Sequence, residues 1–167
     1  MIDMRLVHTA PAKINLTLDV LGRRADGYHE IASVMVRLEL HDTIEVEPAD
    51  ELVLECSGVA IPAEQNLALK AAWLLQDVTG YRGGARIRLT KRIPIAAGLA
   101  GGSSDAAATL LALARLWGLE EHLPASPGEL AARLGSDVPF FLDGPVALAE
   151  GRGERLCHRC RVGRSCC

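Results

Sequence analysis

Aromatic side chains and lysines are scarce in this 167-residue chain. Phe, Trp and Tyr together make up 4% of it, and Lys supplies only three of the 18 basic residues. The formal net charge is −3, and no basic stripe runs through the main body. A nucleic-acid-binding surface needs clustered basic groups and aromatic rings on which bases stack. The composition therefore gives no support to a nucleic-acid-binding function.

The sequence also has no apolar run of the length that crosses a membrane. Its N-terminus lacks the basic segment, apolar stretch and cleavage site of a signal peptide. With 49% hydrophobic residues and a mean hydropathy of +0.17, the composition is that of a globular domain. We expect a cytoplasmic protein with no membrane or nucleic-acid partner, and its oligomeric state is unknown.

Four of the five cysteines lie in the last eleven residues, and the fifth is Cys56. The spacing of Cys157 and Cys160, with His158 between them, is typical of metal ligands. A zinc site ordinarily needs a second ligand pair on an ordered scaffold, and the adjacent Cys166 and Cys167 are poorly spaced for that. An ordinary tail is the favoured interpretation, a zinc-binding tail stays open, and no metal ligands are assigned.

The first part of the chain reads as a mainly antiparallel β-region, with breaks at Asp42, Pro48 and Asp50. Helical spacing then predicts a helix from the cap Asn66 to Thr79. A second helix is predicted to begin at Ser103 or Ser104, and a third follows Ser126, which has capping-box spacing to Glu129. The predicted strands are 5–9, 14–21, 32–40, 43–47, 52–56, 85–91 and 146–149.

The most informative segment is the glycine-rich stretch Pro94–Asp105, which runs into the second predicted helix. Glycines let a ligand approach the backbone, and a helix N-terminus presents free N–H groups to an anion. The pattern matches neither a Walker A motif, since no Lys follows the glycines, nor a Rossmann fingerprint. It could be a plain helix entry or linker, but its length and composition favour a phosphate site.

Two further segments carry groups suited to phosphoryl transfer. Lys13 and Asn15 are two residues apart and so share one face of a strand, where a Lys can neutralise phosphate charge. Asp137 follows a glycine turn, where an Asp can accept the proton of a substrate hydroxyl. Taken singly, Lys13 could be a surface residue and Asp137 a turn or capping residue.

Together these segments resemble the GHMP kinases. The residues that carry the resemblance are Ala10–Leu16, Arg24–Glu30, the glycine stretch and Gly135–Pro139. Arg24–Glu30 narrows the match to the branch acting on 4-diphosphocytidyl-2-C-methyl-D-erythritol, in the non-mevalonate route to isoprenoid precursors. The resemblance implies phosphorylation of its 2-hydroxyl from ATP, with Mg²⁺ expected.

The resemblance also implies residue roles. Asp137 would take or orient the hydroxyl proton, and Lys13 would hold Asp137 ionised and offset charge in the transition state. Substrate would be held by Asn15 and by Tyr28 and His29, the last two reading the cytosine, although alone they could be plain loop residues. The implied ATP-binding residues are Asn66, Pro94, Ala97, Gly98, Leu99, Ala100, Gly101, Gly102, Ser103 and Ser104.

The implied fold is α+β, with a mixed, mostly antiparallel sheet packed on helices, like ribosomal protein S5 domain 2. We expect residues 1–155 to form the N-terminal, ATP-binding domain and 156–167 an aberrant, disordered Arg/Cys-rich tail, with the family's C-terminal domain absent and activity impaired. At Ala100 many relatives have Gly, and Ala is acceptable there if its φ is negative.

Two other functions stay open. The chain could be another GHMP small-molecule kinase, of the homoserine or mevalonate type. It could also be a non-catalytic fragment that binds ATP without transferring its phosphate. The cytosine-reading residues Tyr28 and His29 distinguish the first alternative, and Asp137 distinguishes the second.

Overall fold

One 21-residue strand, β3, organises the sheet in the computed structural model of the protein. The structure describes residues 5–23, 27, 29–151 and 155–157, with only the backbone of His29. The strands of the seven-stranded sheet are β1 (Leu6–Asn15), β2 (Asp19–Arg23), β3 (His29–Ala49), β4 (Leu52–Ser57), β5 (Gly84–Thr90), β6 (Val146–Gly151) and β7 (Arg155–Cys157).

Both edges of β3 are occupied along most of its length. β1 and β2 pair in succession with one edge, and β6 and β5 pair in succession with the other, all of them antiparallel. Only β4 and β5 are parallel, because a helical crossover separates them along the chain. The fold is therefore the expected α+β arrangement with a mixed, mostly antiparallel sheet.

Three α-helices accompany the sheet in the described residues: α1 (Leu67–Thr79), α2 (Gly101–Leu116) and α3 (Pro127–Leu134). α1 begins as predicted, because the Asn66 side chain accepts a hydrogen bond from the Ala68 N–H at 3.0 Å. It ends at Gly80, whose φ of 69° is the left-handed conformation typical of a helix C-terminus. No helix among these residues has the length and apolar character needed to cross a membrane.

The central helix α2 supplies most of the buried helical surface. It contacts α1, β1 and β3, and its buried residues are mainly Ala and Leu. Small side chains let α2 lie close to its neighbours, and the Leu side chains fill the remaining space. The glycine-rich stretch leads directly into this helix, so its position is set by the core.

Two of the three strand breaks expected in the first third of the chain are wrong, and the break at Asp50 is correct, because β3 ends at Ala49 and β4 begins at Leu52. Asp42 and Pro48 lie inside β3, and the predicted strand 14–21 is divided between the end of β1 and β2. The pairing partners on both sides of β3 override the weak strand preference of Asp42. Its side chain is fully buried.

The predicted start of α2 at Ser103 or Ser104 is also wrong, and the negative φ that would make Ala acceptable at position 100 is not observed. The helix begins at Gly101, before both serines, and its N-cap Ala100 has a φ of 55°. That is the left-handed region, which costs a residue with a Cβ about 1–2 kcal/mol. The positive φ turns the chain from the glycine stretch into the helix axis.

The last described residues, Arg155–Cys157, form β7 and pair with β6. Residues 158–167 lie outside the described part of the chain. The expectation for a tail therefore stays a prediction.

Candidate nucleotide and phosphoryl-transfer site

The glycine-rich stretch forms one wall of a cavity of about 410 Å³. Asn66 and Leu67, at the start of α1, and Lys91, at the end of β5, contribute other parts of its lining. Nine of the ten residues predicted to bind ATP line this cavity: Asn66, Pro94, Ala97, Gly98, Leu99, Ala100, Gly101, Gly102 and Ser103.

Ser104 does not line the cavity. Its N–H donates to the Ala100 carbonyl at 3.0 Å, and its hydroxyl is buried without a hydrogen-bond partner. The N–H groups of the preceding residues are those that a helix leaves without intrahelical partners. The cavity thus offers an anion the donors at the start of α2.

Close packing favours glycine at Gly101. A Cβ at Gly101 would lie 3.0 Å from the Ile93 side chain and 3.2 Å from the Lys91 Nζ atom. At Gly98 the reason is different, because its φ is 72° and the position is open. One glycine therefore admits the neighbouring side chains, and the other allows the backbone to turn.

Lys13, Asn15 and Asp137 come together as the sequence predicted. The Lys13 Nζ atom donates to the Asn15 Oδ1 atom at 3.0 Å and lies 3.4 Å from the Asp137 Oδ2 atom. The Lys13 side chain is 9% exposed, whereas that of Asp137 is 36% exposed. The buried ammonium thus faces a carboxylate that a ligand can reach.

A backbone hydrogen bond ties this pair to the glycine-rich stretch. The Lys13 N–H donates to the Leu99 carbonyl at 3.0 Å, next to an irregularity in β1 between Pro11 and Lys13. Leu99 also lines the cavity. The Lys13–Asp137 pair therefore lies next to the glycine-rich wall of the cavity.

The sequence reasoning missed a buried charged cluster beneath this wall, formed by Asp42, Lys91 and Asp105. The Lys91 Nζ atom lies 2.5 Å from the Asp42 Oδ2 atom and 2.7 Å from the Asp105 Oδ2 atom. Asp42 also accepts hydrogen bonds from the N–H groups of Arg92 and Ile93. One signal was available, since Lys91 is one of only three lysines and precedes the glycine-rich stretch by a few residues.

The environment of this cluster shifts two pKa values. Burial raises the pKa of Asp105 to about 7; the neighbouring Asp42 carboxylate also raises it, and Lys91 opposes both. Burial lowers the pKa of Lys91, but its hydrogen bonds to Asp105 and Asp42 raise it by more, so the net shift is upward. Lys91 therefore stays charged at neutral pH, where Asp105 titrates.

The predicted cytosine-reading residues cannot be placed in the site. Tyr28 lies outside the described residues, and only the backbone of His29, the first residue of β3, is described. Of the cysteines and the histidine near the C-terminus that left a zinc-binding tail open, only Cys157 is described, and it forms no disulfide with another described cysteine. Within the described residues no three His, Cys, Asp or Glu side chains are grouped as a metal site would require.

Several known proteins are similar to this chain in sequence. The family model "GHMP kinases N terminal domain" matches residues 66–145. A 4-diphosphocytidyl-2-C-methyl-D-erythritol kinase from Symbiobacterium thermophilum is 59% identical over 150 residues, covering 87% of this chain and 52% of the relative. One of the same name from Deinococcus radiodurans is 54% identical over 150 residues, covering 89% of this chain and 50% of the relative.

A solved structure gives the same result. The crystal structure of a 4-(cytidine 5′-diphospho)-2C-methyl-D-erythritol kinase superposes with a TM-score of 0.80 at 46% identity, over 92% of this chain and 55% of that one. The chain thus spans about half the length of the curated relatives it matches. The chain contains the N-terminal domain of the GHMP kinase family.

Proposed function

We propose that this chain carries the ATP-binding and phosphoryl-transfer residues of an enzyme that phosphorylates the 2-hydroxyl of 4-diphosphocytidyl-2-C-methyl-D-erythritol, in the cytoplasm. The observation that carries the proposal is the junction of two features. The Lys13–Asp137 pair is hydrogen-bonded, through the Lys13 backbone, to a residue of the glycine-rich wall. The names of the relatives at 54% and 59% identity supply the substrate.

In this proposal the cavity binds ATP with its phosphates along the glycine-rich stretch. The N–H groups at the start of α2 and the positive end of the helix dipole favour the phosphate charge there. Asn66 also lines the cavity, and we place the adenine beside it. The buried Asn66 Nδ2 atom has no hydrogen-bond partner among the described residues, which suits it to a ligand.

The reacting groups meet at Asp137. The substrate hydroxyl gives its proton to the Asp137 carboxylate as its oxygen attacks the γ-phosphorus, and the bond from that phosphorus to the ADP oxygen breaks. The Lys13 ammonium, 3.4 Å from Asp137, offsets the negative charge that develops during transfer. Asn15 fixes the Lys13 side chain through the hydrogen bond between them.

Mg²⁺ belongs to this proposal as a companion of ATP. The described residues have no cluster that could hold Mg²⁺ by itself, but Mg²⁺ usually keeps several waters and binds through substrate phosphates. When bound in that way, it neutralises part of the phosphate charge. Tyr28 and His29 remain the proposed readers of the cytosine.

Replacing Asp137 tests the proposal. Asp137→Asn keeps the shape of the side chain but cannot accept the proton, so we expect phosphoryl transfer to fall by about 10²–10⁴-fold. ADP affinity should stay within about twofold, because Asp137 does not line the nucleotide cavity. Transfer is measured with γ-labelled ATP and the cytidine substrate, beside the full-length Deinococcus radiodurans relative.

Asp50→Asn is the matched control, because it makes the same chemical change at an exposed turn. Parallel reactions with mevalonate or homoserine as the acceptor test whether the chain is instead a kinase of the mevalonate or homoserine type. An Asp137→Asn variant that transfers phosphate at the wild-type rate would refute the role of the carboxylate. A chain that binds ADP but transfers to no acceptor would favour the non-catalytic alternative.

A further inference from the structure

The cluster of Asp42, Lys91 and Asp105 contains one carboxylate more than a buried ion pair requires. One ammonium faces two carboxylates, so the cluster carries an excess negative charge whenever both carboxylates are ionised. Its place is directly beneath the phosphate-binding wall, since Lys91 and Asp105 both line the cavity. A negative charge in that place opposes the binding of an anion.

The two carboxylates differ in their hydrogen-bond partners. Asp42 is a full acceptor, because its oxygens receive the Lys91 ammonium and the N–H groups of Arg92 and Ile93. Asp105 receives the ammonium at 2.7 Å and also faces the Asp42 carboxyl group, and its buried Oδ1 atom has no hydrogen-bond partner among the described residues. Asp42 therefore holds the chain where it leaves β5, and Asp105 is the less satisfied acid.

Lys91 connects both acids to the glycine-rich wall. Its Nζ atom lies 3.2 Å from the position that a Cβ on Gly101 would occupy. A movement of the Lys91 ammonium would therefore displace Gly101, the first residue of α2. The cluster therefore lies against the start of α2, whose first N–H groups have no intrahelical partners.

We propose that Asp105 is a positioning residue of the nucleotide site: in its neutral form it helps Asp42 to hold Lys91 beneath the glycine-rich wall, and its ionisation weakens the binding of phosphate anions. The inference rests on the proposed nucleotide site.

Three titratable groups in the described part of the chain face Asp105. Among the described residues these are Lys91 at the end of β5, Asp42 on β3 and Cys56 on β4. The pKa of Lys91 is raised and that of the Cys56 thiol is raised mainly by burial, so the first stays positive and the second neutral. The pKa of Asp105, at about 7, places its ionisation in the physiological range.

Asp105→Asn, made in the whole 167-residue chain, tests the inference because it keeps an oxygen for Lys91 but cannot ionise. ADP affinity is measured by titration calorimetry at pH 6.0 and 8.5. At pH 6.0 wild type and variant should bind alike; at pH 8.5 wild type should bind about tenfold more weakly than the variant. Comparing the two proteins at each pH cancels the titration of ADP itself.

Asp77→Asn on the exposed face of α1 is the matched control and should follow wild type at both pH values. Asp105→Glu, which restores an ionisable group, should regain the pH dependence. If the role of Asp105 were purely structural, the ADP affinities of wild type and Asp105→Asn would differ by the same factor at both pH values. That result would overturn the inference.

A wild-type measurement keeps the test valid if Asp105→Asn does not fold. Sulfate keeps its double negative charge from pH 6.0 to 8.5, so its competition with ADP reports the protein's own titration. We expect sulfate to bind several-fold more weakly at pH 8.5, and unchanged sulfate affinity would overturn the inference. If wild type bound ADP neither at pH 6.0 nor at pH 8.5, that result would instead refute the nucleotide site on which the inference rests.

Discussion

Ala100 shows how a single residue can carry strain at a functional loop. Its φ of 55° is required to turn the glycine-rich stretch into α2, yet its Cβ is unfavourable in that conformation. Ala96, in the same stretch, also has a positive φ, of 57°. Strain at these two alanines is part of the cost of the loop's shape.

Replacing Ala100 with glycine should stabilise the protein. Ala100→Gly relieves the left-handed strain, worth about 1–2 kcal/mol, and loses about 0.4–1 kcal/mol through the greater freedom of the unfolded chain. We expect the free energy of unfolding to rise by about 0.5–1 kcal/mol. Urea denaturation followed by circular dichroism measures it.

Ala132→Gly is the matched control for that change, because Ala132 is exposed within α3. There glycine should lower the free energy of unfolding by about 1 kcal/mol. Equal destabilisation by both variants would show that the conformation of Ala100 is not strained.

At this scale, contacts between residues close in sequence could be predicted, and contacts between distant residues could not. The spacing of Lys13 and Asn15 placed both on one strand face, and their hydrogen bond confirms it. The contact between Asp42 and Lys91 joins residues 49 positions apart. No local pattern indicates that pairing, because it depends on the register of β3 against β5.

At the scale of elements, α3 follows its local signals closely. The Ser126 hydroxyl accepts from the Glu129 N–H, and the Glu129 carboxylate accepts from the Ser126 N–H and hydroxyl. Pro127 occupies the first turn, where its missing N–H costs nothing. These contacts lie within four residues, so the sequence could predict them.

The capping box makes the stability of α3 depend on pH. Ser126→Ala should lower the free energy of unfolding by about 1 kcal/mol at pH 7. The hydrogen bonds from Ser126 lower the pKa of Glu129 below its ordinary 4.5. The contribution of ionised Glu129 is therefore full above pH 4.5 and is lost as pH falls through the lower folded-state value.

Glu129→Gln isolates the ionisation, because it keeps an oxygen acceptor without a titrating group. Urea unfolding at pH 7 and pH 3 should show that wild type loses its advantage over Glu129→Gln at the lower pH. The same difference at both pH values would contradict the assignment.

The strand β3 shows where element prediction failed. Asp42 in a run of β-forming residues indicated a turn, but its side chain is buried and satisfied by Lys91 and two backbone N–H groups. The cost of burying a carboxylate is offset only by those distant partners. A polar residue inside a strand thus marked the base of the site.

At the scale of the whole molecule, the proposed site predicts stabilisation by nucleotides. A ligand that binds only the folded state at 100 times its Kd adds about 2.7 kcal/mol, or about 5–10 °C in Tm for a chain of this size. We expect shifts of this kind with ADP and with cytidine 5′-diphosphate. Tyr28→Ala should lower the affinity for cytidine diphosphate about tenfold, through loss of base stacking, and leave the affinity for ADP unchanged.

Adenosine and cytidine, which lack phosphates, serve as controls and should shift Tm far less than the diphosphates. Thermal unfolding followed by circular dichroism measures all four ligands. If Tyr28→Ala changed the response to ADP and cytidine diphosphate equally, Tyr28 would not be the reader of the cytosine.

The sequence by itself determined the local devices of this protein: the cap at Asn66, the capping box of α3, the glycine-rich entry to α2, and the Lys13 and Asp137 segments that resemble the GHMP kinases. These depend on residues a few positions apart or on motifs with a fixed order. Only the tertiary structure decided that β3 is continuous, that Ala100 is left-handed, and that Asp42, Lys91 and Asp105 form one buried cluster. Those features arise from strand register and burial, which join residues that the sequence keeps far apart.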